Sequence, residues 1–488
     1  MPDFQLISPP MIAYKGDIFG TIPSPPIGVA SIAAYLRQKG FTVNLLDCFG
    51  ESPSTIESYK NDFLKVGLLN QQILERIDPH AYLIGISVHS GMTASFCLEL
   101  AHQIKKQWRK PIVVGGPHVS VCYKDFLLKG IDFAVIGEGE KPIFDLLCAM
   151  LTKSSYKNIS GIVCADTIEQ LITTNTVPID ELPFPAWDLV PLEKYWSLNM
   201  THSPVQGRFA PMITSRGCPF NCAFCSTPLI SRRRWRGCSP ERVIAEIEYL
   251  KTNYGVEDIF IQDDNFNADP KRVLNICALI EKRSFKIRFT LPSGVRLENI
   301  DDEVIYALAR AGFTYLCLAP ESGSSRIRHR LNKHLDEERL YAVQRLCRKN
   351  KIRTGAFIII GTPQEKAYDI LMTARLIAKL LFRGLDDVSI FIFSPIPGSK
   401  LEKLPSIQMP KDYLGICWTP RWRSDFKFLV WIRKILYLEY IILKIIIQPC
   451  SIIRHLLNIS RNRFETKGEM GMRRLFDVWM GKWKVKTP

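Results

Sequence analysis

A secretory signal, an internal repeat and an uninterrupted apolar span are not expected in this 488-residue sequence. The N-terminal MPDFQLISPPMIAYKGDIFG has no basic segment followed by an apolar one, so a secretory signal is not expected. A reducing, cytoplasmic setting follows, in which clustered cysteines serve metals or catalysis more often than disulfides. No internal repeat or low-complexity segment is present, which removes solenoids and biased tails from consideration. The most apolar stretch, Phe426–Gln448, is interrupted by Lys427, Arg433, Lys434, Glu439 and Lys444, so it falls short of the roughly 20 apolar residues of a spanning helix. No RNA-binding aromatic motif is found, and nucleic acid is not an expected partner.

What is present is ordinary globular composition, 47% hydrophobic and 23% charged, over a length suited to two or three domains. The formal charge of +16 is less ordinary. From Arg421 to Pro488 fifteen Lys and Arg face five Asp and Glu, so a net +10 lies in the last 68 residues. Such a tail favours an anionic partner.

Short apolar runs alternate with helical patterns through the first 150 residues. Strands are expected at Phe4–Ile7, Thr42–Asp47, Tyr82–Ser87, Pro111–Val114 and Phe133–Ile136, with helices over Val29–Lys39 and Phe96–Gln107. This βαβ rhythm predicts a doubly wound, Rossmann-like parallel sheet over residues 1–176, with ligands at the carboxyl ends of its strands. Gly85, Gly115, Gly116, Gly137 and Gly139 fall there. A Pro-rich stretch, Val177–Trp187, opens an expected stiff linker over 177–205. From residue 206 to 420 the rhythm resumes, with strands expected at Pro211–Ser215, Asp258–Gln262, Arg288–Leu291, Tyr315–Ala319, Thr354–Ile360 and Asp387–Phe393. Six βα units predict an α/β fold of the partial (β/α)6 TIM type, with its site at the strand C-termini. Residues 421–488 form an expected C-terminal helical extension.

Directly after the first of these six strands comes Ser215-Arg216-Gly217-Cys218-Pro219-Phe220-Asn221-Cys222-Ala223-Phe224-Cys225. Structural zinc asks for four ligands, usually on paired arms, and no second arm is near. Closed electron-transfer clusters take four thiolates. Three thiolates on one loop leave one iron of a [4Fe–4S] cubane open to an exogenous chelator. Cys238 is read as an ordinary cysteine.

In this segment the chain resembles the radical S-adenosylmethionine (SAM) superfamily, in which the open iron binds SAM and reduction yields a 5′-deoxyadenosyl radical. The resemblance covers about Pro211–Leu401 and recurs at strand ends: Gln262-Asp263-Asp264-Asn265-Phe266, Pro292-Ser293-Gly294-Val295-Arg296, Pro320-Glu321-Ser322-Gly323-Ser324, Gly355–Gly361 and Ser394-Pro395-Ile396-Pro397-Gly398-Ser399. It implies cluster ligation by Cys218, Cys222 and Cys225. It also implies SAM contacts from Phe224, Asp263, Asp264, Asn265, Ser293, Arg296, Glu321, Ser322, Gly323 and Gly361. A flavodoxin- or ferredoxin-type electron donor is implied as partner.

The first 200 residues resemble the cobalamin-binding domain fused to many radical SAM enzymes, through Pro25–Ala33, Val113–His118 and Ile136–Glu140. The implied cobalamin contacts are Gly85, Ser87, Gly115, Gly116, Pro117, Gly137, Glu138 and Gly139. The Asp-x-His-x-x-Gly motif of some cobalamin domains is absent, since Cys48-Phe49-Gly50 follows Asp47. His89 and His118 are read as loop or packing residues. A generic nucleotide-binding or vestigial domain is the alternative.

Two further segments carry charge. Ser231-Arg232-Arg233-Arg234-Trp235-Arg236 either clamps an anionic substrate group or is a solvated loop. In and just before Phe426–Gln448, Arg423, Lys427, Arg433, Lys434 and Lys444 share an arc of roughly 120° on a helix, with Glu439 nearly opposite. This predicts a helix lying in a membrane interface, its alternative being one packed on the barrel. Trp479 and Trp483 add to the first reading.

The resemblances imply a cobalamin-dependent radical SAM methyltransferase that uses one SAM to methylate cobalamin and a second as radical source. Non-methylating chemistry in tetrapyrrole or lipid biosynthesis, as in the anaerobic magnesium-protoporphyrin cyclase, is the alternative. RNA methylthiotransfer is disfavoured, because Cys48, Cys97, Cys122, Cys148 and Cys164 are isolated rather than grouped as a second cluster site. A small-molecule or lipid substrate and a cytoplasmic location, peripheral on the inner face of the membrane, complete the expectation.

Overall fold

Apolar runs of three to five residues, closed by Ser, Asp or Gly, become the strands of the first of two units in the computed structural model. It describes residues 3–15, 24–60, 62–170, 174–407, 409–410, 412–415 and 420–479. The strands are β1 (Phe4–Ser8), β2 (Val43–Asp47), β3 (Leu83–Ser87), β4 (Ile112–Gly115), β5 (Phe133–Val135) and β6 (Ile162–Val163), in the order β2-β1-β3-β4-β5-β6. The first five are parallel, and β6 pairs antiparallel with β5. The expected parallel sheet thus has one antiparallel edge, from two residues too short to show a period.

Helices α1 (Ile27–Gln38), α2 (Gly91–Trp108) and α3 (Glu140–Leu151) belong to this unit. In α2, Phe96, Cys97, Leu100, Ala101 and Ile104 recur at three- and four-residue spacing and are fully buried. Each large apolar side chain so placed contributes about 1.5–3 kcal/mol of transfer free energy. A small antiparallel sheet of Met11–Tyr14, Phe63–Val66 and Ile56–Tyr59 was not expected from the sequence.

The Pro-rich stretch is not a free linker. Ala186 N donates to Ala30 O at 3.0 Å, Arg37 pairs with Asp188 at 2.7 Å, and Trp187 and Tyr195 are buried. The first unit therefore runs through Ser197 rather than ending at 176. Proline fixes the chain here as a strap, its apolar side chains pressed on α1.

The second unit is a row of six parallel strands in chain order: β7 (Phe209–Met212), β8 (Asp258–Ile261), β9 (Arg288–Val295), β10 (Phe313–Glu321), β11 (Arg353–Ile360) and β12 (Asp387–Ile392). Helix α4 (Pro240–Tyr254) starts with Ser239 accepting from Arg242 N and stops at Gly255 in the left-handed region, φ 63°. Register breaks between Leu291 and Val295 and between Leu318 and Glu321 extend β9 and β10 beyond their expected ends. Such irregularities re-aim side chains, and here they fall on the Pro-Ser-Gly and Pro-Glu-Ser motifs.

Three C-terminal helices, α5 (Phe426–Ile447), α6 (Pro449–Ser460) and α7 (Lys467–Trp479), belong to the barrel unit rather than forming a separate region from 421. An edge strand exposes unpaired amides and must be covered. On β12 the Ile390 amide donates to Tyr437 OH at 3.1 Å, and Asp386 O accepts from Tyr440 OH at 2.7 Å and from Lys444 Nζ. Asp386 also pairs with Arg454 of α6 at 3.2 Å, and His455 of α6 bonds Glu469 of α7 at 2.5 Å. Lys467, at the start of α7, enters the barrel, where Nζ donates to Pro292 O at 2.7 Å and lies 4.8 Å from the Phe357 ring centre.

This packing corrects the expected basic stripe. Lys444 is 3% exposed and Arg423 caps the carbonyls of Gly361 and Phe393, while Lys427 and Lys434 remain exposed. Lys444 turns inward because the Asp386–Asp387 pair lies beneath it, information that helical spacing does not carry. The Trp483 position and the Trp479 side chain lie outside the described residues.

Candidate active site

The protein's own hydrogen bonds hold the cysteine loop at its root, middle and end. Its root, Ser215–Arg216, pairs antiparallel with Arg236–Gly237, so the Arg-rich segment is the second arm of a short hairpin. Arg232, Arg233 and Arg234 are exposed, Arg233 Nε donating back to Pro219 O of the cysteine loop at 3.2 Å, while Trp235 Nε1 donates to Asn265 O at 2.9 Å. Gly217 has φ 84°, and a Cβ there would stand 2.1 Å from Arg234 O, so no other residue fits. Farther along, Ala223 N donates to Leu331 O at 2.9 Å and Asn332 Nδ2 to Asn221 O at 2.8 Å.

The Gln-Asp-Asp-Asn motif at the end of β8 grips the same loop. Asp263 accepts from Thr214 N at 2.6 Å, Thr214 Oγ1 at 2.7 Å and Ser215 Oγ at 2.6 Å. Both its oxygens are committed to the loop root, and it acts as a brace. Asp264 accepts from Gly217 N at 3.1 Å and Thr227 Oγ1 at 3.3 Å. Burial pushes both carboxyls up.

Two donors reach the thiols. Asn265 Nδ2 lies 3.8 Å from Cys218 Sγ, and Arg296 Nη2 lies 3.7 Å from Cys222 Sγ. Arg296 stacks on Phe220, 3.7 Å from its ring centre. Its backbone is clamped by Asn267, which donates to Arg296 O at 2.5 Å and accepts from Arg296 N at 3.1 Å. Asn267 directly follows the Gln262–Phe266 motif and carries no signal of its own in the sequence. Among the described residues no three His, Cys, Asp or Glu close on a single ion. Three spread thiols with N–H donors aimed at two of them suit an anionic iron–sulfur cubane, whose potential such bonds tune.

The residues expected to meet SAM divide into two groups. Asn265 Oδ1 is buried without a hydrogen-bond partner among the described residues, and an ammonium donor beside Cys218 would satisfy it. Ser293 is exposed at the β9 irregularity, and Phe224 packs beside Ala223, Ile327 and Phe393. Glu321 takes the left-handed conformation, φ 63°, and accepts from Lys333 Nζ at 3.3 Å. Burial raises its carboxyl, opposed by Lys333 and Arg296. Backbone strain at a non-glycine strand end is a mark of functional sites.

Ser322, Gly323 and Gly361 are engaged elsewhere. Gly323 N donates to Thr373 Oγ1 at 3.1 Å, and a Cβ at Gly323 would stand 2.1 Å from Met372 O. Ser322 Oγ lies 3.3 Å from Thr373 Oγ1. Gly361 N donates to Glu365, so its amide is committed, and its carbonyl accepts from Arg423 at 2.9 Å. Beside it, Thr362 Oγ1, Glu365 Oε1 and Ser394 Oγ are buried without partners among the described residues. These are the polar atoms that this strand end offers a ligand.

In the first unit several expected cobalamin glycines have structural reasons. A Cβ at Gly85 would meet Phe4 Cζ at 2.5 Å, one at Gly116 would meet Val88 O at 2.7 Å, and one at Gly139 would meet Ile32 Cδ1 at 2.7 Å. Gly137 differs: its φ is 82° and a Cβ would meet only Thr174, at 3.8 Å. Ser87, Gly115, Pro117 and Glu138 lie at the same strand ends, and a Cβ at Gly115 would stand 3.3 Å from Val135. The corner after β2 is filled. Asp47 accepts from Tyr195 OH at 2.7 Å and Gly50 N at 3.1 Å, and Phe49 packs on Tyr195. Burial pushes Asp47 up to about 6. His118 is buried between Phe126 and Tyr413, and His89 is an exposed loop residue.

A family model of the radical SAM superfamily matches residues 212–377, and one of the B12 binding domain matches 22–147. The chain is a radical SAM enzyme with a B12-binding domain. Its cofactors are a [4Fe–4S] cluster, SAM and cobalamin. This B12-binding radical SAM chain is 28% identical over 404 residues to an uncharacterized methyltransferase of Pyrococcus horikoshii, 81% of each chain. It is 26% identical over 428 residues to a cytidylyl-2-hydroxyethylphosphonate methyltransferase of Streptomyces wedmorensis, 77% of each. It is also 26% identical over 383 residues to an anaerobic magnesium-protoporphyrin IX monomethyl ester cyclase of Synechocystis, 76% of this chain and 71% of the relative. The structure of the cobalamin-dependent SAM radical enzyme OxsB with aqua-cobalamin bound shares the fold, with TM-score 0.68 and 17% identity over 99% of this chain and 80% of that one.

Proposed function

We propose that this enzyme transfers a methyl group from SAM, by way of cobalamin, to an unactivated carbon of a small-molecule or lipid substrate. The observation that carries the reading is one chain holding both a three-thiol loop with donors aimed at it and a B12-binding sheet. Bound together, the cofactors supply a radical that opens a C–H bond and a methyl group that replaces the hydrogen. The chain's own residues hold and orient. Cys218, Cys222 and Cys225 ligate the cluster, Asn265 and Arg296 stabilise its sulfurs, and Asn265, Ser293 and Glu321 face the methionine end of SAM. The strand ends around Gly137 receive cobalamin. An electron donor of the flavodoxin or ferredoxin type delivers the reducing electron, in the cytoplasm or at the inner face of the membrane.

The test is to supply methyl-deuterated SAM to the reconstituted enzyme with extracts of apolar metabolites, and to seek a product heavier by one labelled methyl group. S-adenosylhomocysteine and 5′-deoxyadenosine should accumulate together. Abundant 5′-deoxyadenosine with an oxidised or cyclised product and no label would instead support cyclase-type chemistry.

A further inference from the structure

We propose that the outer face of α5, continued onto α6, is a docking surface for an anionic lipid membrane. The inner face of α5 is fully used. Leu429 and Leu436 are buried, Tyr437 and Tyr440 bond the backbone of β12, and Lys444 bonds Asp386 O. A helix whose only task is to cover a barrel edge presents a polar outer face to water. Here Phe428, Trp431, Ile435, Leu438, Ile442 and Ile445 recur at three- and four-residue spacing along the outside. They are exposed: Phe428 by 61%, Trp431 by 57%, Leu438 by 58%. Exposed Ile453, Leu456 and Leu457 add to them from α6. A contiguous apolar surface of this extent marks an interaction site.

Charge decides the occupant. Lys427 and Lys434 are exposed along one flank of the apolar stripe, and Arg461 and Arg463 are exposed where α6 ends. With the net +10 of residues 421–488, this pattern complements an anionic lipid surface. A second copy of the chain would bring like charge against like. Trp431, amphipathic and near the start of α5, suits the headgroup level. Among the described residues no single helix is long and apolar enough to cross a membrane, and the α5–α6 pair is bent by 108°. Lys444 and Arg454 tie both helices to Asp386, so the pair lies on a bilayer with its inner face still on the barrel. This inference stands independently of methyl transfer, and it favours an apolar substrate drawn from the same lipid phase.

The experiment is flotation of the full-length, cofactor-loaded enzyme with phosphatidylglycerol or phosphatidylcholine vesicles over a salt series. Binding to phosphatidylglycerol is expected, weaker on phosphatidylcholine and falling as salt rises. The K427E/K434E variant should lose roughly 30-fold or more in anionic-vesicle affinity. The W431E/I442E variant should lose binding to both vesicles. Both should keep cobalamin and iron loading and SAM cleavage, which separates docking from folding. No flotation of the wild type would overturn the proposal. So would a concentration-dependent dimer that W431E/I442E abolishes, because a second copy would then own the face.

Discussion

The Arg296 guanidinium rests 3.7 Å from the Phe220 ring centre and turns Nη2 to Cys222 Sγ. A cation held face-on to an aromatic ring and pinned at its backbone by Asn267 cannot swing freely. Its charge is therefore fixed beside the cluster loop. Replacing Arg296 by Ala should cost roughly 10–100-fold in iron retention or SAM cleavage, as loss of an outer-shell donor does elsewhere. Redox titration of the loaded protein should show a lower cluster potential, since a donor that stabilises the reduced cluster is gone. An unchanged potential would make Arg296 a packing residue only.

Gly217→Ala should disrupt the same loop from the backbone. The left-handed φ of 84° and the contact with Arg234 O leave no room for Cβ. A cost of about 1–3 kcal/mol is expected. Thermal unfolding and iron loading of the variant check it, and iron loading should fall more than secondary structure does.

The Asp47–Tyr195 pair makes a pH-dependent prediction for the first unit. Burial raises the Asp47 carboxyl from 3.8 to about 6. A raised folded-state value means that the native state holds the proton more tightly than the unfolded chain. The associated stability is full below about pH 4 and is lost as pH rises through 6. Asp47→Asn, neutral at every pH, should therefore gain on wild type by up to about 3 kcal/mol between pH 4 and 7. Denaturant melts of both proteins across that range test it, and a pH-independent difference would contradict the assignment.

Lys444 and Lys427 separate the inner from the outer face of α5. Lys444 lies on Asp386 O, and burial lowers its pKa. Lys444→Ala leaves the buried Asp386–Asp387 carboxylates short of a cation and should destabilise the barrel by about 3–5 kcal/mol. Lys427→Ala, on an exposed position, should stay within about 0.5 kcal/mol. Equal effects would mean that the helix does not pack as described.

Much of the architecture is readable from local pattern. All five expected strands of the first sheet and all six of the barrel form within a few residues of their expected bounds, because apolar runs closed by Gly, Asp or Ser are local signals. The cysteine loop is legible for the same reason. What sequence reasoning misses is set by tertiary contact. Asp263 turns to Thr214 and Ser215, and Gly361 gives its carbonyl to Arg423, 62 residues away. Lys444 reads as one of a basic stripe until the Asp386–Asp387 pair beneath it is seen. Lys467 carries no motif at all, yet it enters the barrel. The strap over 177–197 reads as a linker because prolines announce stiffness without saying what they lie on.

The most direct test is anaerobic reconstitution with iron and sulfide, followed by reduction with SAM present. The wild-type enzyme should bind about four irons and four sulfides per chain, lose its visible absorption on oxidation, and release 5′-deoxyadenosine. The C218A/C222A/C225A variant should bind little iron and release none. Full iron loading of that triple variant, or 5′-deoxyadenosine formation without the three thiols, would contradict the account.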